Sequence, residues 1–266
     1  MNIIVCVKEI IDPELTPDNF DIDQTLSKAV DPESVPNVLS PFDEQAVEAA
    51  LRIKDAMGGK ITVLSLGDLL HREVVKKPLG MGADELILLE DNAFADGDSW
   101  STAYALAMAI SKIGNYDIII CGRQAADWDN GQVGSGIAEI LGIPSVTIAK
   151  KIEAIDGKIR VERIIEDGYE IIETCIPVLI TVSNEIGQAR YGTLDKIMEA
   201  ANKEPTIWKA KDIGVAPHEI GNKGRRIELL KLYKPIRESK CEIIERTTLE
   251  ESAVALAQRL REAKIL

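Results

Sequence analysis

The feature that most constrains this chain is a set of short runs rich in Ile, Val and Leu. They are Ile3–Val7, Ile61–Leu66, Leu86–Leu89, Ile118–Cys121 and Val178–Val182. A strand with one wet face alternates apolar and polar residues. These runs do not alternate, which suits strands covered on both faces. Helical patterns lie between them. Residues 42–57 place Ala46, Ala49, Ala50, Ile53 and Met57 on one face, with Pro41 at the entry and Gly58-Gly59 as the stop. Ser40 or Asp43 is the candidate cap. Helices are also predicted over 99–113, stopped by Gly114, and over 131–141, stopped by Gly142 and Pro144. Strand–helix alternation predicts an α/β fold with a doubly wound, mostly parallel sheet. The length of 266 residues gives such a domain a sizeable core.

Two regions interrupt the alternation. Residues 12–41 hold Pro13, Pro17, Pro32 and Pro36 among many Asp, and are read as an ordered excursion or hairpin. Lys150–Ile155 and Lys158–Ile165 flank Asp156-Gly157, a hairpin signal. Beyond residue 202 the periodicity weakens and the charge reverses. The whole chain carries -13, of which residues 1–202 contribute -17, residues 203–240 +5 and residues 241–266 -1. Residues 1–202 are therefore read as the α/β domain and 203–266 as a C-terminal arm. The arm ends in an amphipathic helix over 248–264, with Ala253, Leu256, Leu260 and Ala263 near one face.

The same composition narrows the chemistry. An acidic body argues against nucleic-acid or anionic-membrane binding. The N-terminal apolar run is too short for a signal segment, and no run approaches the ~20 apolar residues of a spanning helix. A cytoplasmic protein without membrane insertion is expected. Cys6, Cys121, Cys175 and Cys241 form no Cys-x-x-Cys pair, and His71 and His218 are the only histidines. A zinc site or a His-centred triad has nothing to build on. A binding or redox-carrier role is favoured, with a cofactor carrying the chemistry.

Three loops feed helix starts or end strands where an α/β sheet binds ligands. The richest is Cys121-Gly122-Arg123-Gln124-Ala125-Ala126-Asp127-Trp128-Asp129-Asn130-Gly131-Gln132-Val133-Gly134. Its glycines at a helix start expose N–H groups that suit a phosphate. They also suit a tight turn with close helix packing, and the pattern is neither a Rossmann nor a Walker fingerprint. Asp127 and Asp129 are candidate caps for that helix. Arg123 is a partner either for them or for a phosphate. Trp128 either stacks on a ring or plugs the loop base. The other two loops are Val38–Asp43 and the end of the first strand, Cys6-Val7-Lys8.

Residues 161–181 carry Val161, Arg163, Glu166, Asp167, Gly168, Glu170, Ile172, Pro177, Leu179, Ile180 and Thr181 in the order of a known signature. That run resembles the signature of electron transfer flavoprotein beta subunits. SPFDEQAVEAAL (40–51), LGMGADELILLE (79–90), CGRQAADWDNGQVG (121–134) and ARYGTLDKIM (189–198) also resemble the family, in order. The resemblance implies an adenine-nucleotide-binding fold that pairs with an FAD-carrying alpha subunit. It implies that the nucleotide is held by Cys6, by Ser40, Pro41, Phe42 and Asp43, by Leu66, and by residues 121–134. A docking loop is implied over 184–201, with Tyr191 and a protruding Leu194. Read locally, an apolar residue there is more often a helix-start staple than a docking anchor.

The family has a branch that binds AMP and an electron-bifurcating branch that binds a second FAD. Gly131-Gln132-Val133-Gly134 followed by Ile137-Ala138-Glu139 is similar to the bifurcating branch. Ser40 departs from the Asn that family members often have before Pro-Phe or Pro-Tyr. For that branch the resemblance implies NAD(H) and ferredoxin as electron donors or acceptors. The implied partner is a flavin-dependent dehydrogenase of acyl-CoA or 2-hydroxy-acid type. For the other branch the nucleotide is AMP, held structurally.

Overall fold

The structure is a computed structural model. It describes residues 1–15, 21–23, 28–30, 37–155, 157–234 and 241–266, with backbone only at 28–30. Two compact units are present, Met1–Lys231 and Leu232–Leu266.

In the first unit β1 (Asn2–Val7) leads to short strands β2 (Glu9–Ile10), β3 (Asp21–Asp23), β4 (Lys28–Val30) and β5 (Val38–Leu39). There follow α1 (Pro41–Met57), β6 (Lys60–Gly67), α2 (Arg72–Val75), α3 (Lys77–Met81), β7 (Glu85–Glu90) and α4 (Ser99–Ile113). Then come β8 (Ile118–Gly122), α5 (Val133–Leu141), β9 (Ser145–Ile155), β10 (Lys158–Ile165), β11 (Gly168–Cys175) and β12 (Val178–Val182). The unit continues through α6 (Leu194–Asn202), β13 (Thr206–Trp208) and α7 (Gly221–Gly224). The second unit holds α8 (Leu249–Glu262).

One sheet has the order β11-β10-β9-β12-β8-β1-β6-β7-β13. It is parallel from β9 to β13. The β9–β10–β11 end is antiparallel. The unalternated runs have their expected reason. Ile3, Val5 and Val7 pack with α1 residues such as Val47 and Ala50 on one face. Ile4 and Cys6 pack with α4 and α5 residues such as Ala105 and Ile137 on the other. Ile118 and Ile120 divide from Ile119 and Cys121 in the same way.

β1 is the switch strand. The chain leaves it towards β6 on one side and returns to β8 on the other. The carboxyl ends of β1 and β8 therefore part around a crevice, the usual ligand position in an open α/β sheet.

The expected hairpin pairs Ile155 with Lys158. Its turn residue Asp156 lies outside the described residues. So do Pro17, Pro32 and Pro36 of the 12–41 segment, of which β3 and β4 form an antiparallel pair. The compact unit extends past the sequence-based boundary at 202. β13 adds to the sheet edge beside β7. Ala210, Ile213, Val215 and Ile220 are buried in the core around α4. Scattered apolar residues with no periodicity of their own thus find partners supplied by distant elements. In the second unit, Thr248 and Glu251 cap α8 reciprocally. Leu249, Val254 and Leu256 are exposed there. Among the described residues no helix is long and apolar enough to cross a membrane.

Candidate functional site

A cleft of about 270 Å³ opens at the carboxyl ends of β1, β6 and β8. Cys6, Val7 and Lys8 reach it from β1, and Leu66, Gly67 and Asp68 from β6. Cys121, Gly122, Arg123, Gln124 and Ala125 follow β8, and Asn130, Gly131, Val133 and Gly134 lead into α5. The start of α5, at Val133 and Gly134, lines this space, and a helix start carries free N–H groups and the positive end of its dipole.

Asp43 forms the base of the site. One carboxylate oxygen accepts from Lys8 N at 2.8 Å and the other from Gly122 N at 3.1 Å. A single side chain thus ties together the ends of two strands. The residue is 7% exposed. Burial raises its pKa from 3.8 to about 7, against the lowering effect of both backbone N–H groups, the Lys8 charge and Ser40. Gly122 is required here, because a Cβ would lie 2.5 Å from Asp43 Oδ1 and 2.8 Å from Phe42 Cβ.

Two cations border the cleft. Lys8 Nζ reaches over to Asp127 at 2.7 Å. The Arg123 guanidinium stacks on the Phe42 ring at 4.8 Å and donates weakly to Ser183 Oγ at 3.4 Å. Its Nε is buried without a partner. Cys6 and Cys121 are paired across β1 and β8 and are both buried free thiols. Cys6 and then burial push the Cys121 thiol well above its ordinary pKa. It serves as a neutral, soft wall.

The loop after β8 is self-organised. Ala125 N donates to Asn130 O and Asp129 N to Ala125 O. Gln124 Nε2 donates to Asp129 Oδ1 at 2.7 Å. A Cβ on Gly131 would meet Arg123 O at 2.9 Å, and one on Gly134 would meet Thr181 Cγ2 at 2.8 Å. Gly134 is therefore where α5 lies close against β12.

The electron transfer flavoprotein domain pattern matches residues 28–213 of this chain. An electron transfer flavoprotein subunit beta from Thermoanaerobacterium thermosaccharolyticum is 40% identical over the whole length of both chains. The chain belongs to the electron transfer flavoprotein family, as a beta subunit. A caffeyl-CoA reductase–Etf complex subunit CarD from Acetobacterium woodii is 38% identical, again over both full lengths. A protein FixA from Azorhizobium caulinodans is 38% identical over 81% of this chain and 77% of its own.

Within this beta subunit the cleft gathers most of the residues singled out from the sequence: Cys6, Asp43, Leu66, Cys121 to Ala125, Asn130, Gly131, Val133 and Gly134. The others stand behind or beside it. Ser40 N donates to Lys8 O, and its side chain makes no cap bond to α1. Pro41 begins α1, and Phe42 supports Arg123. Asp127 and Asp129 do not cap α5, whose cap position is Gln132. They hold Lys8 and Gln124 instead, and Arg123 pairs with neither. Trp128 is 49% exposed outside the cleft lining, so it does not plug the loop base.

The sequence reading missed one wall. Phe94, Ala95, Asp96, Gly97, Thr102 and Leu106 line the cleft from the α4 side, with Gly67 and Asp68. The available signal was Asp96-Gly97-Asp98 between a strand and a helix. Asp98 Oδ1 accepts from Ser101 N and caps α4.

The 184–201 segment lies on another part of the first unit. Thr193 caps α6, and Tyr191 and Leu194 are 84% and 73% exposed. A helix-start staple would bury Leu194, so that reading is set aside.

Proposed function

We propose that this chain is the nucleotide-binding beta subunit of an electron-bifurcating electron transfer flavoprotein. It pairs with an FAD-carrying alpha subunit and binds FAD in the β1/β6/β8 cleft. Electrons pass between NADH, ferredoxin and a flavin-dependent dehydrogenase of acyl-CoA or 2-hydroxy-acid type. The setting is cytoplasmic, anaerobic metabolism.

The observation that carries this reading is the convergence of the β1, β6 and β8 ends with the α5 start on one cleft. The fit to a nucleotide is chemical as well as spatial. A volume of about 270 Å³ suits an adenosine phosphate portion, with the rest of a dinucleotide extending beyond. The unpartnered Arg123 Nε and the α5 N–H groups suit phosphate oxygens. Leu66, Cys6 and Cys121 offer an apolar wall for a base. When bound, the flavin supplies the one- and two-electron chemistry. The chain's own work is to orient it. Asp43 fixes the two strand ends, Gly134 lets α5 approach the sheet, and Lys8 and Arg123 set the local charge.

Two features support the bifurcating branch over the AMP branch. One is Gly131-Gln132-Val133-Gly134 with Ile137-Ala138-Glu139. The other is full-length likeness to a subunit whose name places it in a caffeyl-CoA reductase–Etf complex. Quantifying FAD and AMP released from the purified alpha–beta pair tests the choice. Two FAD per pair is expected; one FAD with one AMP would replace this reading by a beta subunit that holds AMP structurally.

A further inference from the structure

The most exposed apolar side chains of the 184–201 segment sit on a stretch of backbone fastened at several points. Glu48, inside α1 and only 4% exposed, receives three hydrogen bonds from Arg190. They come from its backbone N at 3.1 Å, its Nε at 2.8 Å and its Nη2 at 3.1 Å. Glu48 also accepts from Arg52 Nε at 2.8 Å. Arg52 in turn donates to Ile186 O at 2.5 Å and grazes Gln188 O at 3.5 Å. Arg190 Nη1 reaches Asp55 at 2.8 Å. Two residues on, Gly192 lies against the α3 backbone, where a Cβ would stand 2.3 Å from Gly80 O. The chain is thus held at 186–188, at 190 and at 192, and Tyr191 and Leu194 project from between and just beyond these points.

We propose that Glu48 is a positioning residue for partner docking, acting through Arg190 and Arg52 to hold Tyr191 and Leu194 in the conformation the partner dehydrogenase receives. The inference rests on the docking reading of the 184–201 segment. Its physical basis is preorganisation. A recognition segment already fixed by its own scaffold loses less conformational freedom on binding. The carboxylate suits the task. Burial pushes its pKa up, but the hydrogen bonds from Arg190 and Arg52 outweigh this and hold it below the ordinary range. The latch therefore stays charged at neutral pH. Glu48 and the nucleotide-cleft residue Asp43 both lie on α1, but Glu48 does not line the cleft. Its loss should therefore spare cofactor binding.

The test uses the purified alpha–beta pair and an acyl-CoA dehydrogenase chosen because it accepts electrons from the wild-type pair. E48Q keeps the shape and removes the charge. It is expected to raise the half-saturating dehydrogenase concentration roughly tenfold, the scale of losing a few ordered side chains. The rate at saturation and the bound nucleotide should stay at wild-type levels. R190K keeps the cation but not the planar fork, and should give an intermediate shift. It also serves if E48Q folds poorly. L194A is the control for the docking reading and should raise the half-saturating concentration as well. A rise with L194A but none with E48Q or R190K overturns the positioning role alone. No rise with any variant removes the docking reading and this inference with it.

Discussion

Asp43→Asn offers a test of the strand-end clamp that can be worked through quantitatively. In the folded chain the Asp43 carboxyl is held at a pKa of about 7, against 3.8 for an ordinary Asp, chiefly because burial penalises its charge. Below pH ~4 both folded and unfolded chains carry the proton, and the residue contributes no pH dependence. Between pH ~4 and ~7 the unfolded chain releases its proton first, which stabilises the unfolded state. Stability must therefore fall across this window, and the fall levels off above pH 8. The shift of about three pH units, at ~1.4 kcal/mol each, gives a loss of roughly 4 kcal/mol. The group is buried, so solvent screening does not reduce this figure much. The asparagine side chain of the variant cannot ionise and is free of the window, although its amide nitrogen faces one N–H and costs about 1–3 kcal/mol at every pH. The assay is urea unfolding of wild type and D43N from pH 4 to 8, comparing the difference between them so that all other groups cancel. The expected result is that the difference moves by roughly 4 kcal/mol in favour of D43N as pH rises. Parallel pH profiles, or a difference moving in favour of wild type, would refute the claim that Asp43 is a buried charge clamp.

Two further substitutions separate packing from charge at the same cleft. G134V places methyl groups where Thr181 Cγ2 already stands, and should push α5 off the sheet. A stability loss of about 1–3 kcal/mol with reduced nucleotide content is expected; full content at wild-type stability would show that α5 can pack elsewhere. K8M removes a cation whose ion pair with Asp127 is partly exposed, so the thermal midpoint should hardly change. Nucleotide affinity should fall roughly tenfold, measured by titrating the stripped protein, if Lys8 faces a phosphate. An unchanged affinity would assign Lys8 to loop closure alone.

How far these features were legible in the sequence depends on the distance between the partners. Unalternated runs such as Ile3–Val7 report burial on two faces locally, so the sheet and its crossovers could be read directly. Gly122 and Gly134 marked the loops, because a glycine beside a strand end or helix start is itself a local signal. The use of Asp43 was not legible. An acidic residue in the first turn of a helix looks like a cap, and only the fold brings the N–H groups of Lys8 and Gly122 to it. Asp127 similarly serves Lys8 across the cleft, while its sequence neighbours suggest a helix cap. The Phe94–Gly97 wall escaped because its turn carries no phosphate-type glycine pattern. β13 escaped because Thr206–Trp208 is too short to show a period, and its pairing partner is β7.

The central claim is that the cleft at the ends of β1, β6 and β8 holds a second flavin. Release of the bound nucleotides from the purified alpha–beta pair, with chromatographic quantification against FAD and AMP standards, measures it directly. Two FAD and no AMP per pair is the predicted result. One FAD and one AMP per pair would contradict it.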